Sequence, residues 1–220
     1  MNLLNTLLEP QTQKGYRIYG VVIGIVTNNQ DKQNLGRVQV RFPWLDDQNT
    51  SNWARIASPM AGADRGIYFL PEIDDEVLVV FEQGDVRFPY VLGVLWNGKD
   101  KPPATNEDGK NNIRLIKSRS GHLIRLDDTN GAEKIEIIDK SGENQIVFDT
   151  SNNAIAITAT QDITLSARNI TLSAQQGTLK LEANSIELDA SSTIQMQAKA
   201  QLNAEANGVM TLKGKPINLN

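Results

Sequence analysis

Between Asn153 and Asn220 the chain repeats one short pattern, and that repeat restricts its possible folds more than any other feature. Two apolar residues separated by one spacer, polar in every case but Ala156, recur nine times, at 155/157, 163/165, 170/172, 179/181, 186/188, 194/196, 202/204, 210/212 and 217/219. The first members step by 8, 7, 9, 7, 8, 8, 8 and 7 residues. Strict alternation puts both members of each pair on one face of a strand and the polar residue on the other. A recurrence just under eight residues leaves room for one short strand and one tight corner per unit, which is a solenoid-type repeat. Ala167, Ala174, Ala183, Ala190 and Ala198 follow the second apolar residue by two places and share its face, where small side chains suit a corner.

Two large inward residues per unit make a strip too narrow to enclose a core alone. No aromatic residue follows Phe148 to fill the lumen of a wide single-chain solenoid. Three chains wound about one axis remove the difficulty, because each layer then buries three copies of the pair and each backbone edge meets a neighbouring chain. The sequence therefore predicts a homotrimer with Ile163, Leu165, Ile170, Leu172, Leu179, Leu181, Ile186, Leu188, Ile194 and Met196 as its core. Layers about 4.8 Å apart would make a rod of roughly 40–45 Å.

Composition narrows the function. The chain has no cysteine, so disulfides and thiolate chemistry are excluded. Its net charge is −4 and its pI about 5.1, which disfavours nucleic acid as a partner because phosphate contacts dominate such binding. The last 70 residues carry five Lys or Arg and five Asp or Glu, a balance better suited to a mechanical rod than to electrostatic capture. No apolar run is long enough to span a membrane as a helix, and Met1–Pro10 has no basic n-region, so no signal peptide is expected.

Residues 1–15 are read as an arm in which Leu3, Leu4, Leu7 and Leu8 form one apolar helical face of about two turns, too short to be stable alone. Residues 16–105 read as a small all-β domain. Its strands are expected at 19–27, 36–42, 53–58, 66–70, 76–82 and 90–96, with turn-forming residues between them. Such a set suits a small closed barrel of the OB type. A nucleic-acid groove could be assembled on paper from Arg17, Arg37, Arg41, Trp44 and Trp53, but Asp46, Asp47, Asp74, Asp75, Glu76, Glu82 and Asp85 oppose it.

Several strings carry a family resemblance: GRVQVRFPW at 36–44, WARIASP at 53–59, FLPEIDDEVLVVFEQGD at 69–85, PYVLGVLWN at 89–97 and SRSGHLIRLDDTNG at 118–131. Together they resemble the contractile-tail spike proteins, the phage baseplate assembly protein V and VgrG family, over about residues 16–220. The resemblance implies an all-β chain, with an N-terminal OB-fold barrel followed by an interwound triple-stranded β-helix. Asp74 stands where family members often have glycine, and a local change of turn is expected there. Residues 106–150 are read as a wider neck, where the pairs Ile124/Leu126, Ile135/Ile137 and Ile146/Phe148 step by eleven before the repeat of 151–220 settles near eight. Phe148 is expected to plug the point of narrowing.

No constellation of residues points to catalysis. His122 is the only histidine, with Asp127 and Asp128 as its sequence neighbours, and is read as a hydrogen-bonded neck residue rather than a base or metal ligand. Asp127–Gly131 does not fit a calcium loop. Asp74, Asp75 and Glu76 are read as a turn rather than glycosidase carboxylates. The resemblance implies no enzyme activity and no cofactor, since no segment is long enough for an inserted lysozyme or an effector. It implies a separate hub protein at the end of a tail tube. The His-x-His iron tip of some relatives is absent, and a PAAR-type tip protein seated on Ile217, Leu219 and Asn220 is expected instead. The expected function is the structural central spike of a contractile injection machine, assembled in the cytoplasm, located at a baseplate and driven transiently through a target envelope. The alternative is a trimeric fibre or adhesin with an OB-fold head.

Overall fold

The computed structural model describes residues 17–217; the arm at 1–15, and Leu219 and Asn220 of the expected tip surface, lie outside the described residues. The chain divides into two units, Met1–Asp162 and Ile163–Asn220. Strand is the dominant regular structure, and the one helical segment among the described residues is a 3-10 turn at Glu82–Gly84.

The first unit opens with a barrel. Its strands are β1 (Val22–Asn28), β2 (Gln39–Phe42), β3 (Asp46–Thr50), β4 (Arg55–Ile56), the short hairpin β5 (Ala61–Gly62) and β6 (Arg65–Gly66), β7 (Glu76–Phe81) and β8 (Pro89–Leu95). Six of them form one sheet in the order β3-β2-β1-β7-β8-β4. An antiparallel bridge between Val38 and Ala54 returns the β4 edge to the start of β2. Alternation along β1 and β7 sends every second residue inward, and Val26, Val38, Val40, Ala54, Val77, Val79 and Val91 are wholly buried there. Phe42 and Phe81 complete this core edge to face, with ring centroids 5.5 Å apart. Gly24 belongs on the inner face because a Cβ there would lie 3.3 Å from Val79 Cγ2 and 3.4 Å from Phe42 Cε1.

Local departures from the expected strands have physical causes. The polar run at 46–50 was expected in a turn and instead forms β3, because pairing with Arg41 and Phe42 of β2 supplies its backbone partners whatever its propensity. Of the expected 53–58 strand, Arg55–Ile56 pairs in parallel with Tyr90 and Val91, and Ala54 adds the single bridge to Val38. The expected strand at 66–70 is reduced to the end of a hairpin, and Tyr68 and Phe69 stay exposed. Asp74 takes a φ of 73°, the left-handed region that glycine favours, so its turn keeps a glycine-like backbone.

A five-stranded antiparallel meander follows: β9 (Ile113–Lys117), β10 (Leu123–Asp127), β11 (Lys134–Ile138), β12 (Gln145–Asp149) and β13 (Ala154–Thr158). The pair Ile155/Ile157, counted above as the first repeat, lies on its last strand. Each later corner is held by an aspartate at the end of the preceding strand or just past it. Asp127 accepts from Thr129 N at 3.0 Å, Asp139 from Ser141 Oγ at 2.6 Å and Asn144 Nδ2 at 2.9 Å, and Asp149 from Ser151 Oγ at 2.7 Å. Gly131 and Gly142, at φ 74° and 79°, turn the chain within two of these corners. Arg119 in the first corner reaches back to Glu72 of the barrel at 2.9 Å.

These aspartates make the first unit acid-sensitive. Hydrogen bonds from Ser141 and Asn144 hold the Asp139 carboxyl at about 2, and the Arg87 guanidinium holds Asp85 at about 2, against an ordinary 3.8. The Asp31 carboxyl is held lower still by Arg37, which meets it through Nε at 2.8 Å and Nη2 at 2.9 Å. All three are depressed in the folded chain, so their stabilisation is complete above the ordinary value and is lost as pH falls through the folded values. Thermal melts should show a midpoint that drops steeply between about pH 4 and pH 2, and Asp139→Asn should flatten part of that slope. A midpoint independent of pH over this window would refute the assignment.

In the second unit, residues 163–217 form no helix or strand; a turn at Gln175-Gln176 and scattered bends are the only other features. The repeat is nonetheless regular. In the five pairs from Ile163/Leu165 to Ile194/Met196, the first member is 53–56% exposed and the second 59–67%.

Candidate assembly interface

The antiparallel sheet aligns the apolar pairs of 113–158 across its strands. Ile124 faces Ile116 on β9 and Ile137 on β11, Ile137 faces Ile146 on β12, and Ile146 faces Ile157 on β13. A second row runs beside it through Leu126, Ile135, Phe148 and Ile155, with Arg114 at its end. Two residues along a strand share a face, so both rows lie on the same side. Opposite side chains in such a ladder stand about 5 Å apart and pack against one another.

This face is apolar and uncovered. Ile116, Ile124, Leu126, Ile135, Ile137, Phe148, Ile155 and Ile157 are each between 38% and 67% exposed. A contiguous exposed apolar surface marks an interaction site. The reverse face is different in kind. There Arg125 and Glu136 are directly opposed and ion-paired, Lys134 approaches the same carboxylate at 3.3 Å, and Glu136 is buried. The buried ion pair thus lies on the reverse face, beside the half-buried Leu115, Leu123, Ile138 and Val147, while the more exposed apolar rows lie on the other.

The single histidine sits at the rim of the apolar face. His122 N donates to Ser118 Oγ at 3.0 Å and its carbonyl accepts from Ser118 N at 2.9 Å, so its backbone closes the first corner. Its side chain lines a concavity of about 520 Å³ with Ile116, Ile124, Ile137, Ile146 and Ile157. Among the described residues no group of three or more His, Asp or Glu could hold a metal ion. Asp75 is occupied by accepting from Glu72 N at 2.8 Å, and Glu76 accepts from Asn97 Nδ2 at 3.1 Å. The ten residues expected to form the spike core, from Ile163 to Met196, are brought into no common cluster within the chain, and Ile217 is 49% exposed. What the sequence did not reveal was the alignment of the two rows, because register depends on corner lengths that only the folded sheet shows.

Barrel, meander and apolar repeat together define an all-β protein that leaves one apolar sheet face uncovered. Residues 22–96 match the family model described as the Type VI secretion system/phage-baseplate injector OB domain. The barrel is therefore an OB domain of the injector kind. Over part of its length the chain is also VgrG-like, being similar to Type VI secretion system spike proteins. It is 36% identical over 103 residues to VgrG2a of Pseudomonas aeruginosa, covering 43% of this chain and 12% of that protein. It is 28% identical over 138 residues to VgrG1a of the same species, covering 58% and 22%, and 27% identical over 141 residues to VgrG3 of Vibrio cholerae, covering 60% and 13%. The matched part thus spans less than a quarter of each of these relatives.

Proposed function

We propose that this chain is the structural central spike of a contractile injection machine, a phage-tail baseplate or a related secretion apparatus. The observation that carries the reading is the uncovered apolar face of the antiparallel sheet, continued in sequence by the equally uncovered pairs of 163–217. Three copies turning these faces inward would bury both rows and every Ile/Leu pair at once. The barrel's match to injector OB domains and the similarity to spike proteins supply the setting.

The mechanism on this reading is stiffness. Interwound chains cannot peel away one at a time, so an axial load must break many backbone hydrogen bonds together. The OB barrels would form a threefold collar on a separate hub protein at the end of a tail tube, and sheath contraction would drive the repeat through a target envelope. Ile217, with Leu219 and Asn220, would offer the last layer to a PAAR-type tip protein. No catalytic step and no cofactor belong to this role. No helix among the described residues is long and apolar enough to cross a membrane, and the spike would meet a membrane only in passing. The domain limits proposed with it are an arm at 1–15, the OB domain at 16–105, the neck at 106–150 and the spike at 151–220.

The deciding measurement is the mass of the purified protein in solution, before and after boiling in detergent. A species near three times 24.3 kDa that survives boiling is the expected result. A folded monomer of 24.3 kDa would remove the physical basis of the mechanism.

A further inference from the structure

In an asparagine followed by glycine the backbone can attack the side chain before it, because glycine carries no Cβ to block the approach. The chain has three such pairs, Asn97-Gly98, Asn130-Gly131 and Asn207-Gly208. Their local sequence is alike, and the structure sets them apart. At Asn97 the side-chain amide is held at both ends. Its Oδ1 accepts from Lys99 N at 2.8 Å and from Asp100 N at 2.7 Å, and its Nδ2 donates to Glu76 at 3.1 Å. At Asn130 the attacking group is held instead. Gly131 N donates to Glu133 Oε1 at 3.1 Å, and the turn is closed by Ala132 N donating to Thr129 O at 2.8 Å. Gly131 stands at φ 74°, so this turn has its own need for glycine. Asn207 and Gly208 form an exposed bend in the second unit. Among the described residues, neither the Asn207 amide nor the Gly208 N–H has a hydrogen-bond partner. Gly208 is not among the glycines at positive φ, and a Cβ built on it would find nothing within 4 Å. Neither backbone conformation nor space therefore calls for glycine at 208.

We propose that Asn207 is a self-modification site, where the chain converts its own asparagine to aspartate and isoaspartate with water as the co-reactant. Gly208 N attacks Asn207 Cγ, and the new C–N bond closes a cyclic imide. The Cγ–Nδ2 bond breaks, and the amide nitrogen leaves as ammonia with the proton that Gly208 N gives up. Water then opens the ring. Cleavage between Gly208 N and Cγ gives aspartate. Cleavage between Gly208 N and the Asn207 carbonyl carbon gives isoaspartate, whose main chain runs through Cβ and Cγ. Nothing is oxidised or reduced. The attack requires Gly208 N to come within reach of Cγ, an approach open to an unheld bend and closed to a pair fixed by hydrogen bonds. Because Gly208 N must lose its proton, the reaction quickens as pH rises. The product bears on the repeat. Both acids add a negative charge between Ala204 and Met210, and isoaspartate also lengthens the main chain by one carbon. The alternation that puts Met210 and Leu212 on the same face as the earlier pairs depends on an unbroken count of two, so isoaspartate at 207 sets the last pairs out of phase. The chemistry belongs to the chain itself and does not rest on the spike reading.

The full-length protein would be held at neutral and at mildly alkaline pH, sampled over weeks, and digested in mild acid for mass spectrometry, with fragmentation separating aspartate from isoaspartate. The expected result is acid at 207 accumulating at least about fivefold faster than at 97 or 130, and faster at the higher pH. Equal rates at the three pairs, an Asn207 that stays an amide, or Asn130 reacting first would each overturn the proposal. Gly208→Ala, which the open backbone at 208 accepts, should slow conversion at 207 at least about fivefold while leaving the thermal melt unchanged. Conversion at the parent rate in that variant would mean that Gly208 N is not the attacking group. Glu133→Ala releases the Gly131 N–H and should raise the rate at Asn130. A rate there that stays as slow would remove the structural reason for singling out Asn207.

Discussion

Replacing Ile137 by aspartate is expected to abolish the trimer proposed above. Ile137 stands at the centre of the first apolar row, between Ile124 and Ile146, and is about half exposed in the single chain. The substitution should therefore cost the chain's own fold little. In a threefold assembly it would place three carboxylates inside one apolar layer, where an unpaired buried charge costs several kcal/mol each. Light scattering should show the detergent-resistant species near three times 24.3 kDa replaced by single chains or loose aggregates, with the barrel's melting unchanged. Lys140→Asp, on an exposed corner of the same sheet, is the matched control and should assemble normally. An Ile137→Asp protein that still survives boiling as a trimer would mean that this face lies outside the assembly.

The second large effect belongs to the barrel and should be independent of assembly. Val79 is wholly buried, paired with Val22 on one side and Val91 on the other. Val79→Asp puts a carboxylate among Val26, Val40, Val77, Phe42 and Phe81, all apolar side chains. The desolvation penalty is several kcal/mol, against a total stability of roughly 5–15 kcal/mol for a domain of ordinary size, so the barrel should unfold at room temperature. Val79→Ala removes two methyl groups instead, costs about 2 kcal/mol and should leave a folded barrel with a lowered melting point. Near-ultraviolet dichroism of the three tryptophans distinguishes the outcomes. A Val79→Asp protein with native dichroism and an unchanged melt would show that β7 is not the centre of the core.

The two variants separate the layers of the structure. One perturbs a surface that is incomplete in a single chain, the other a core that a single chain completes. The expected phenotypes are opposite: assembly lost with the barrel intact, and the barrel lost whatever the repeat does.

Much of this was legible in the residues alone. Period-two alternation in EVLVVF at 76–81 and in each Ile/Leu pair depends only on the pleat of an extended chain, so the all-β class and the inward-facing members could be read directly. Gly131 and Gly142 turn two corners at positive φ, a conformation that depends on the residue itself. Pairing was not legible. The polar run at 46–50 is a strand because β2 lies beside it, and the barrel edge returns through Val38 and Ala54, two residues no local pattern singles out. The cross-strand rows of the meander and the burial of Glu136 against Arg125 likewise emerge only when distant strands are set in register. The sequence by itself determined which residues of each strand share a side, because that follows from bond geometry within a few residues. Only the tertiary structure decided which strands meet and which apolar sides are left uncovered, because those depend on contacts between segments far apart in the chain.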